Sequence, residues 1–273
     1  MKINIPEFDK AIEKTLDSAE YHETPFRHWH IKKFMQEEIA IKIETELQKK
    51  DYADWTKFQY EMQNKNQLSD INAFPENAKD LVVYLNSGKF LTKIEKLTGI
   101  NNLISDPYNE GGGLHEIGRG GYLQPHADFS RHKKLRLQRR LNIIIYFNSN
   151  WKSEYKGLLT LFDSKGETPI KEIMPISNSA IIFETTIDSF HGHPDPLMCE
   201  DSEKRKSIAL YYYTVERSFR VKGVNTRWRL KNRKPPKLAV IRNILSTITW
   251  MFAIGFQRVG DKLENLHEKI DTN

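Results

Sequence analysis

The fold is decided by four segments: PHADFS (residues 125–130), RRLNIIIYFN (139–148), SFHGHPDP (189–196) and EKRKSIALYYYT (203–214). β-Branched and aromatic residues dominate the second and the last of them, and such residues favour strands. Gly, Pro and Asn, which favour turns, stand between the apolar runs. The runs are therefore predicted to be short strands of one sheet, around which the rest of the chain is organised.

Eight strands are predicted from Gly111 onward, and this number at short spacing is typical of a jelly-roll. They are Leu114–Ile117, Tyr122–Phe129, Leu141–Phe147, Leu158–Phe162, Ile170–Met174, Ala180–Glu184, Ser189–His193 and Ser207–Val215. The predicted fold class is α+β: a double-stranded β-helix, or jelly-roll barrel, with a supporting N-terminal helical layer and a C-terminal amphipathic helix.

The first 110 residues are predicted to be that helical layer, within the same domain as the barrel. Apolar residues recur at helical spacing in residues 35–49 and 75–98, and Ser87-Gly88 divides the second stretch into two helices. Residues 51–72 are polar and rich in Asn and Gln, so they are interpreted as a loop. The expected division is a helical segment (1–110), the barrel core (111–216), and a basic linker with a C-terminal helix (217–273).

Composition bounds the class of protein. Hydrophobic residues make up 38% of the 273 residues, which is enough for a packed core, and charged residues at 29% do not suggest disorder. The single cysteine, Cys199, excludes an intramolecular disulfide and a cysteine-based zinc site. The opening MKINIPEFDKAIEK has acidic residues and no apolar run, unlike a secretory signal. A reducing, cytoplasmic compartment is therefore expected.

A metal site is indicated by His126 and Asp128. One residue separates them, and side chains two apart on a strand point to the same face. A third ligand from a distant strand is available at His191 or His193, and strand parity does not distinguish these two. Two imidazoles and one carboxylate on one side of a metal suit non-haem Fe(II), because they leave positions open for oxygen and a co-substrate.

These segments resemble those of the Fe(II)- and 2-oxoglutarate-dependent oxygenases, in particular the prolyl 4-hydroxylase-like branch. The likeness rests on His126-Ala-Asp128, on His191 within SFHGHP, and on Arg205-Lys-Ser207 ahead of IALYYYT. The segment RRLNIIIYFN, followed by Trp151 and GLLTLFD, also resembles the family, so the likeness covers roughly residues 110–215. In the family, the ligand precedes a small residue and a Pro-containing turn, which favours His191 over His193.

The resemblance implies a role for each matching residue. His126, Asp128 and His191 would bind Fe(II), and Arg205 would bind the far carboxylate of 2-oxoglutarate. Arginine suits this task because its planar fork binds a carboxylate bidentately. Ser207 shares the strand face of Arg205 and would add a second bond, and Tyr146 is the third expected co-substrate contact.

The implied reaction hydroxylates an unactivated C–H bond while 2-oxoglutarate and O2 yield succinate and CO2, with ascorbate as the expected reductant. A peptidyl proline is the default substrate, although relatives of this pattern act on free amino acids, sugars or lipids. The alternative is a cupin-like metal-binding barrel without oxygenase activity. Arg205 and Ser207 argue against that alternative, since such a barrel needs no cation for a co-substrate.

A dense basic run, RHKKLRLQRR, begins at Arg131 and ends at Arg140. Six of its ten residues are Lys or Arg, within a chain of formal net charge +6. The run is either a solvated hairpin or an electrostatic collar that attracts an anionic substrate to the barrel mouth. Few aromatic residues interrupt it, which disfavours binding of nucleic acid by base stacking.

The C-terminal sixty residues contain a second basic run, Arg217–Lys237, with Trp228 inside it. Residues 237–270 then show the spacing of an amphipathic helix. Three roles are compatible with that helix: packing on its own barrel, pairing with a second copy of the chain, or lying peripherally on an anionic membrane surface.

Overall fold

A computed structural model of the protein describes residues 5–49, 55–215 and 223–230, and all of them belong to one compact unit. The helix predicted over 237–270 and most of the basic run 217–237 lie outside the described residues. Within the described part of the chain, no helix is long and apolar enough to cross a membrane.

Four α-helices and fourteen strands form in the described residues. The helices are α1 (Ile5–Asp17), α2 (Glu37–Lys49), α3 (Glu76–Leu85) and α4 (Gly88–Thr98). The strands are β1 (Glu20–His22), β2 (His28–Ile31), β3 (Thr56–Tyr60), β4 (Gln63–Leu68), β5 (Ile104–Ser105), β6 (Gly113–Ile117), β7 (Tyr122–Ala127), β8 (Gln138–Tyr146), β9 (Leu159–Phe162), β10 (Pro169–Ile173), β11 (Ala180–Glu184), β12 (His191–His193), β13 (Arg205–Thr214) and β14 (Arg227–Trp228).

The strands pair into one antiparallel sheet that rolls up as the predicted double-stranded β-helix. The order is β1-β2-β11-β8-β13-β6-β4-β7-β12-β9-β10, with β3 added to β4, β5 to β13 and β14 to β7. All eight strands predicted after Gly111 are present, and the one over Ala180–Glu184 has the predicted bounds. The α+β prediction is confirmed.

The long strand β13 shows why its sequence is apolar almost throughout. Ile208, Leu210 and Tyr212 face outward and join the same apolar cluster as helical residues such as Phe90 and Ile94. The alternate residues face the barrel interior. A strand covered on both faces requires an apolar run rather than an alternating one.

Helix α4 begins after Ser87 and ends at Gly99, two residues that favour helix ends. Ser87 has extended backbone angles, and its side chain accepts a hydrogen bond from the Phe90 amide at the start of α4. Gly99 ends α4 with a left-handed φ of 74°, which glycine adopts without steric cost. The predicted split near Ser87-Gly88 is therefore confirmed.

The prediction of a loop over residues 51–72 is wrong. This stretch forms the hairpin of β3 and β4, and β4 lies between β6 and β7 in the sheet. The sequence of β4, QNKNQL, has neither β-branched nor aromatic residues, so it carries none of the usual strand signal. Its Gln67 is buried opposite His115 of β6, in a polar part of the barrel interior where apolar residues are not required.

Candidate active site

Three candidate metal ligands meet at one end of the barrel. His126 lies at the end of β7, Asp128 follows that strand, and His191 opens β12 directly opposite His126. The His126 Nε2 atom is 3.7 Å from Asp128 Oδ1, and the His191 Nε2 atom is 3.9 Å from Asp128 Oδ2. Their potential ligand atoms all lie within 4.8 Å of one another, in the one such cluster found among the described residues.

Backbone carbonyls orient both imidazoles. The Nδ1 atom of His126 lies 3.0 Å from the Gln124 carbonyl oxygen, and that of His191 lies 3.0 Å from the Ser189 carbonyl oxygen. Because a carbonyl oxygen only accepts hydrogen bonds, Nδ1 carries the proton in each ring. The lone pair of each Nε2 is therefore directed to the shared cluster, as in metal sites whose histidines are held by an outer partner.

The charges of the three groups suit a divalent cation. Burial, together with the nearby His191, lowers the pKa of His126 to about 3. Burial also lowers the pKa of His191. For Asp128, burial acts in the opposite direction, but the adjacent Arg139 and the two histidines outweigh it and lower the pKa to about 2. Near neutral pH the cluster therefore holds two neutral imidazoles and one carboxylate, the donor set that suits Fe(II).

Arg139 holds the carboxylate of Asp128 in place, a role that the sequence analysis missed. Its Nη1 atom is 3.1 Å from Asp128 Oδ2, and its Nη2 donates to the Tyr213 hydroxyl at 3.3 Å. The guanidinium carbon lies 3.6 Å from the ring centroids of both Phe129 and Tyr211. The arginine is fully buried in this clamp and is part of the site, not of the exposed basic run.

A register shift explains why sequence periodicity missed Arg139. Tyr212 of β13 faces Leu141, yet the next residue, Tyr213, faces Arg139, so Arg140 is an extra residue in β8. Asn142 faces the barrel interior, so strict alternation of side chains along β8 would make Arg140 face the interior as well. The bulge turns Arg139 inward instead.

The alternative ligand His193 lies on the same strand but outside the cluster. A second bulge, with its extra residue in β7, shifts the register between the two histidines. His191 faces His126, whereas His193 faces Leu123. His193 is buried, and neither of its ring nitrogens has a hydrogen-bond partner among the described residues. The structure brings His191, and not His193, to the other two candidate ligands.

Metal binding should separate the two histidines experimentally. We expect His191→Ala to lose nearly all bound divalent metal after dialysis, because a ligand is removed and a buried carboxylate is left with one imidazole. The matched variant His193→Ala should retain about one metal ion per chain, since only a neighbouring side chain is truncated. Metal content per chain by elemental analysis is the measurement. Retention by His191→Ala with loss in His193→Ala would reverse the assignment.

Trp228, from the second basic run, covers one face of the cluster. The two-residue strand β14 pairs with the end of β7, with Trp228 opposite His126. The indole stacks on the His126 ring at a centroid distance of 4.8 Å and an interplanar angle of 26°. A single tryptophan inside a basic run shows no hydrophobic periodicity, so the sequence did not predict this contact.

The three predicted co-substrate residues lie together at the start of β13. Arg205 is buried, its Nε donates to the Gly157 carbonyl at 2.7 Å, and its Nη2 donates to the Tyr146 hydroxyl at 3.4 Å. Ser207 lies directly opposite Tyr146 across β13 and β8. Among the described residues, no carboxylate is paired with Arg205. A buried cation with only neutral partners is suited to binding an anion.

Nitrogen-bearing side chains that the sequence analysis did not select surround Arg205. His115 lies opposite Ser207, and its Nε2 has no hydrogen-bond partner among the described residues. Burial, and then the positive charges of Lys65 and Arg205, lower the pKa of His115 well below its usual range. Burial of the Lys65 ammonium lowers its pKa to about 8. The interior beside Arg205 is therefore rich in hydrogen-bonding groups.

The fold and the cluster together define a double-stranded β-helix with a candidate metal centre at one end. Comparison with known proteins makes this more specific. Residues 112–213 match the family model of the 2OG-Fe(II) oxygenase superfamily. No curated protein sequence matches this chain. The matched segment contains the His126, Asp128 and His191 cluster, and this likeness supports a 2-oxoglutarate-dependent dioxygenase.

Solved structures agree with the fold. A prolyl hydroxylase from Trichoplax adhaerens, in complex with a peptide fragment of the hypoxia inducible factor oxygen degradation domain, superposes with a TM-score of 0.50 and 16% identity over 75% of this chain and 88% of that chain. A Pseudomonas putida prolyl-4-hydroxylase superposes with a TM-score of 0.51 and 11% identity over 76% of this chain and all of that chain (100%). At this identity the likeness establishes the fold.

Proposed function

We propose that this enzyme hydroxylates an unactivated C–H bond of its substrate. In this reaction one oxygen atom of O2 enters the substrate and the other enters succinate, while 2-oxoglutarate loses CO2. One observation carries the proposal: the cluster of His126, Asp128 and His191 shares the barrel interior with Arg205, a buried cation that has no anionic partner among the described residues. The three ligands suit a metal ion, and Arg205 suits the carboxylate of a co-substrate bound to that metal.

The donor set fits Fe(II), and His126, Asp128 and His191 would hold it. Bound iron would supply the oxidative chemistry, with the protein supplying ligation, orientation and exclusion of water. Arg139 and Asn142 keep Asp128 in position, since the Asn142 amide lies 3.4 Å from Asp128 Oδ2. The ligands are at most 8% exposed, which keeps bulk water from the reacting position.

Arg205 would bind the distal carboxylate of 2-oxoglutarate, with the hydroxyls of Tyr146 and Ser207 as further donors. The contact from Arg205 Nε to the Gly157 carbonyl holds the guanidinium, so Nη1 and the second N–H of Nη2, which also donates to Tyr146, can donate to the carboxylate. Lys204 and Lys206 are engaged on the outside of the barrel. Lys204 pairs with Glu116 at 2.8 Å, and Lys206 donates to the Leu47 carbonyl of α2.

A peptidyl proline is the default substrate by likeness of fold, and ascorbate is the reductant we propose to keep the iron reduced. The alternative function is a cupin-like metal-binding barrel. Arg205 favours the oxygenase, because burying a guanidinium that has no anionic partner among the described residues is costly and serves no purpose in a barrel that binds only metal. Peripheral membrane contact or pairing through residues 237–270 stays a prediction.

Anaerobic addition of Fe(II) and 2-oxoglutarate tests the proposal before any substrate is known. We expect a weak visible charge-transfer band that saturates at one equivalent of each, because chelation of iron by the co-substrate produces such a band. A screen of candidate substrates read by succinate release then identifies the class. If the protein binds one metal ion per chain but shows no band, the cupin-like alternative is favoured.

A further inference from the structure

Lys65 belongs to β4, the strand that lies between the two halves of the candidate site. In the sheet order β13-β6-β4-β7, β4 pairs directly with β7, which carries His126. On its other side, only β6 separates β4 from β13, the strand that begins with Arg205. A side chain that points inward from β4 therefore lies between the metal centre and the cation proposed to bind the co-substrate.

The register of the strands places Lys65 level with Arg205. Arg205 lies opposite Ile117 of β6. Asn66 lies opposite the preceding residue of β6, Glu116. Because β4 and β6 are antiparallel, Lys65 also comes opposite Ile117. With neighbouring strands about 4.8 Å apart, the backbones of Lys65 and Arg205 are on the order of 10 Å apart, a span that two long side chains and a small dicarboxylate can bridge.

Strand alternation directs Lys65 into the barrel. Gln63 and Gln67 share its face of β4, and both are buried. Lys65 itself keeps part of its surface accessible. Its ammonium lies 5.7 Å from the centroid of the Phe58 ring, on the neighbouring strand β3. A ligand inside the barrel can therefore contact this side chain.

No described residue supplies Lys65 with an anionic partner. The side chain forms neither a hydrogen bond nor an ion pair within the described part of the chain. Burial lowers the pKa of its ammonium to about 8, while the Asp128 carboxylate raises this pKa and Arg205 lowers it. Burial is also the largest cause of the lowered pKa of His126 and of His193, and the charge of Lys65 adds to it. The ammonium thus acts on both halves of the site, and burying it without an anion is costly.

The other lysine of the β3–β4 hairpin has different surroundings. Lys57 lies opposite Asn66, the neighbour of Lys65, so it points to the outer face of the hairpin, where it is exposed. An exposed lysine on a polar strand is solvated and requires no ligand. The two lysines therefore form a matched pair that differs in the face of the sheet.

We propose that Lys65 binds the carboxylate at the 2-oxo acid end of 2-oxoglutarate, the end next to the metal. This inference rests on the proposed function and adds a co-substrate-binding residue to it, with Arg205 binding the distal carboxylate. Two carboxylates then meet two cations that have no anionic partner among the described residues. Lys65 also offsets the repulsion between this carboxylate and that of Asp128, whose own partner, Arg139, lies on β8.

Titration of 2-oxoglutarate into the Ni(II)-loaded protein tests the proposal, and Ni(II) replaces iron so that the co-substrate is not consumed. We expect Lys65→Met to raise the Kd about tenfold or more, because a charged hydrogen bond is lost while the length of the side chain is kept. Lys65→Arg should recover part of the affinity. The control Lys57→Met removes a charge from the outer face of the same hairpin and should bind as the wild type does. An unchanged Kd in Lys65→Met would overturn the proposal.

A second titration identifies the carboxylate that Lys65 binds. The probe is 2-oxopentanoate, which keeps the 2-oxo acid end and lacks the distal carboxylate. We expect it to bind the wild type more weakly than 2-oxoglutarate does, and we expect Lys65→Met to weaken it further. Arg205→Met should weaken 2-oxoglutarate but not this probe. A wild type that does not bind 2-oxopentanoate, or a Lys65→Met defect confined to 2-oxoglutarate, would contradict the assignment.

Stability and metal content separate ligand binding from a structural role. We expect Lys65→Met without 2-oxoglutarate to keep one Ni(II) per chain and to melt no lower than the wild type, because removal of an unpaired ammonium relieves its desolvation cost. A lower melting temperature together with lost metal would indicate a structural role and count against the proposal. A wild type without the Fe(II) charge-transfer band would refute the proposed function. A normal band with an unchanged Kd in Lys65→Met would refute only the role of Lys65.

Discussion

Asp128→Ala is expected to abolish 2-oxoglutarate consumption and to remove bound metal from the protein. The substitution takes away the one negative charge of the ligand cluster, and two neutral imidazoles bind a divalent cation far more weakly than the full set. It also leaves the buried Arg139 without its anionic partner. Breaking a buried ion pair in this way destabilises a protein by roughly 3–5 kcal/mol, so unfolding must be monitored as well.

Two variants separate loss of the ligand from loss of stability. Asp128→Asn keeps the shape and can still accept a hydrogen bond from Arg139, so it should fold better than Asp128→Ala yet remain inactive. Asp201→Ala removes an exposed carboxylate and should behave as wild type. Metal content, melting temperature and 2-oxoglutarate consumption are the three measurements. Wild-type consumption by a folded Asp128→Ala protein would show that this carboxylate is not a ligand.

The barrel was predictable from sequence because burial on both faces requires apolar strands. Strand β13 is the clearest case: helices cover one face and the barrel interior covers the other, so IALYYY reads as one continuous run. The strand β4 was not predictable for the opposite reason. Its inward residues, such as Gln67, face a polar interior, and no simple pattern of hydrophobicity marks such a strand.

The candidate site was predictable to the extent that strand alternation is regular. His126 and Asp128 were selected because they lie two residues apart. Arg139 was missed because one extra residue in β8 reverses the alternation at that point. The choice between His191 and His193 was open for the same kind of reason, since it depends on a bulge in the partner strand β7. Register shifts are set by the pairing of two strands, and the sequence of one strand does not reveal them.

The basic run Arg131–Arg140 shows that the sequence also does not reveal how exposed each charge is. Its density of Lys and Arg predicted attraction of an anionic substrate, and the sequence analysis considered the six cations as one group. Pairing of the hairpin then assigns them different surroundings: Arg139 is fully buried beside Asp128, while Lys133 is 76% exposed. Contact with water decides what a charge can contribute, and contact with water is a property of the fold.

Replacement of Arg205 should weaken binding of 2-oxoglutarate while leaving the metal in place. Charged hydrogen bonds contribute roughly 1.5–3 kcal/mol, so Arg205→Ala is expected to raise the KM for 2-oxoglutarate about tenfold or more. Arg205→Lys should recover part of the affinity, because an ammonium keeps the charge but loses the planar fork. The control Lys204→Ala removes a cation one residue away whose partner, Glu116, lies outside the barrel.

A second variant distinguishes loss of carboxylate binding from loss of packing at Arg205. Arg205 also fills space next to Gly157 and donates to its carbonyl, so truncation alone could disturb the barrel. Arg205→Met keeps most of the volume without the charge. If the role is binding of the carboxylate, Arg205→Met should resemble Arg205→Ala in its KM for 2-oxoglutarate, and both should retain one metal ion per chain. An unchanged KM for 2-oxoglutarate in Arg205→Ala would contradict the assignment. A raised KM in Arg205→Ala but not in Arg205→Met would show that the side chain acts by filling space, because Arg205→Met removes the charge and keeps most of the volume.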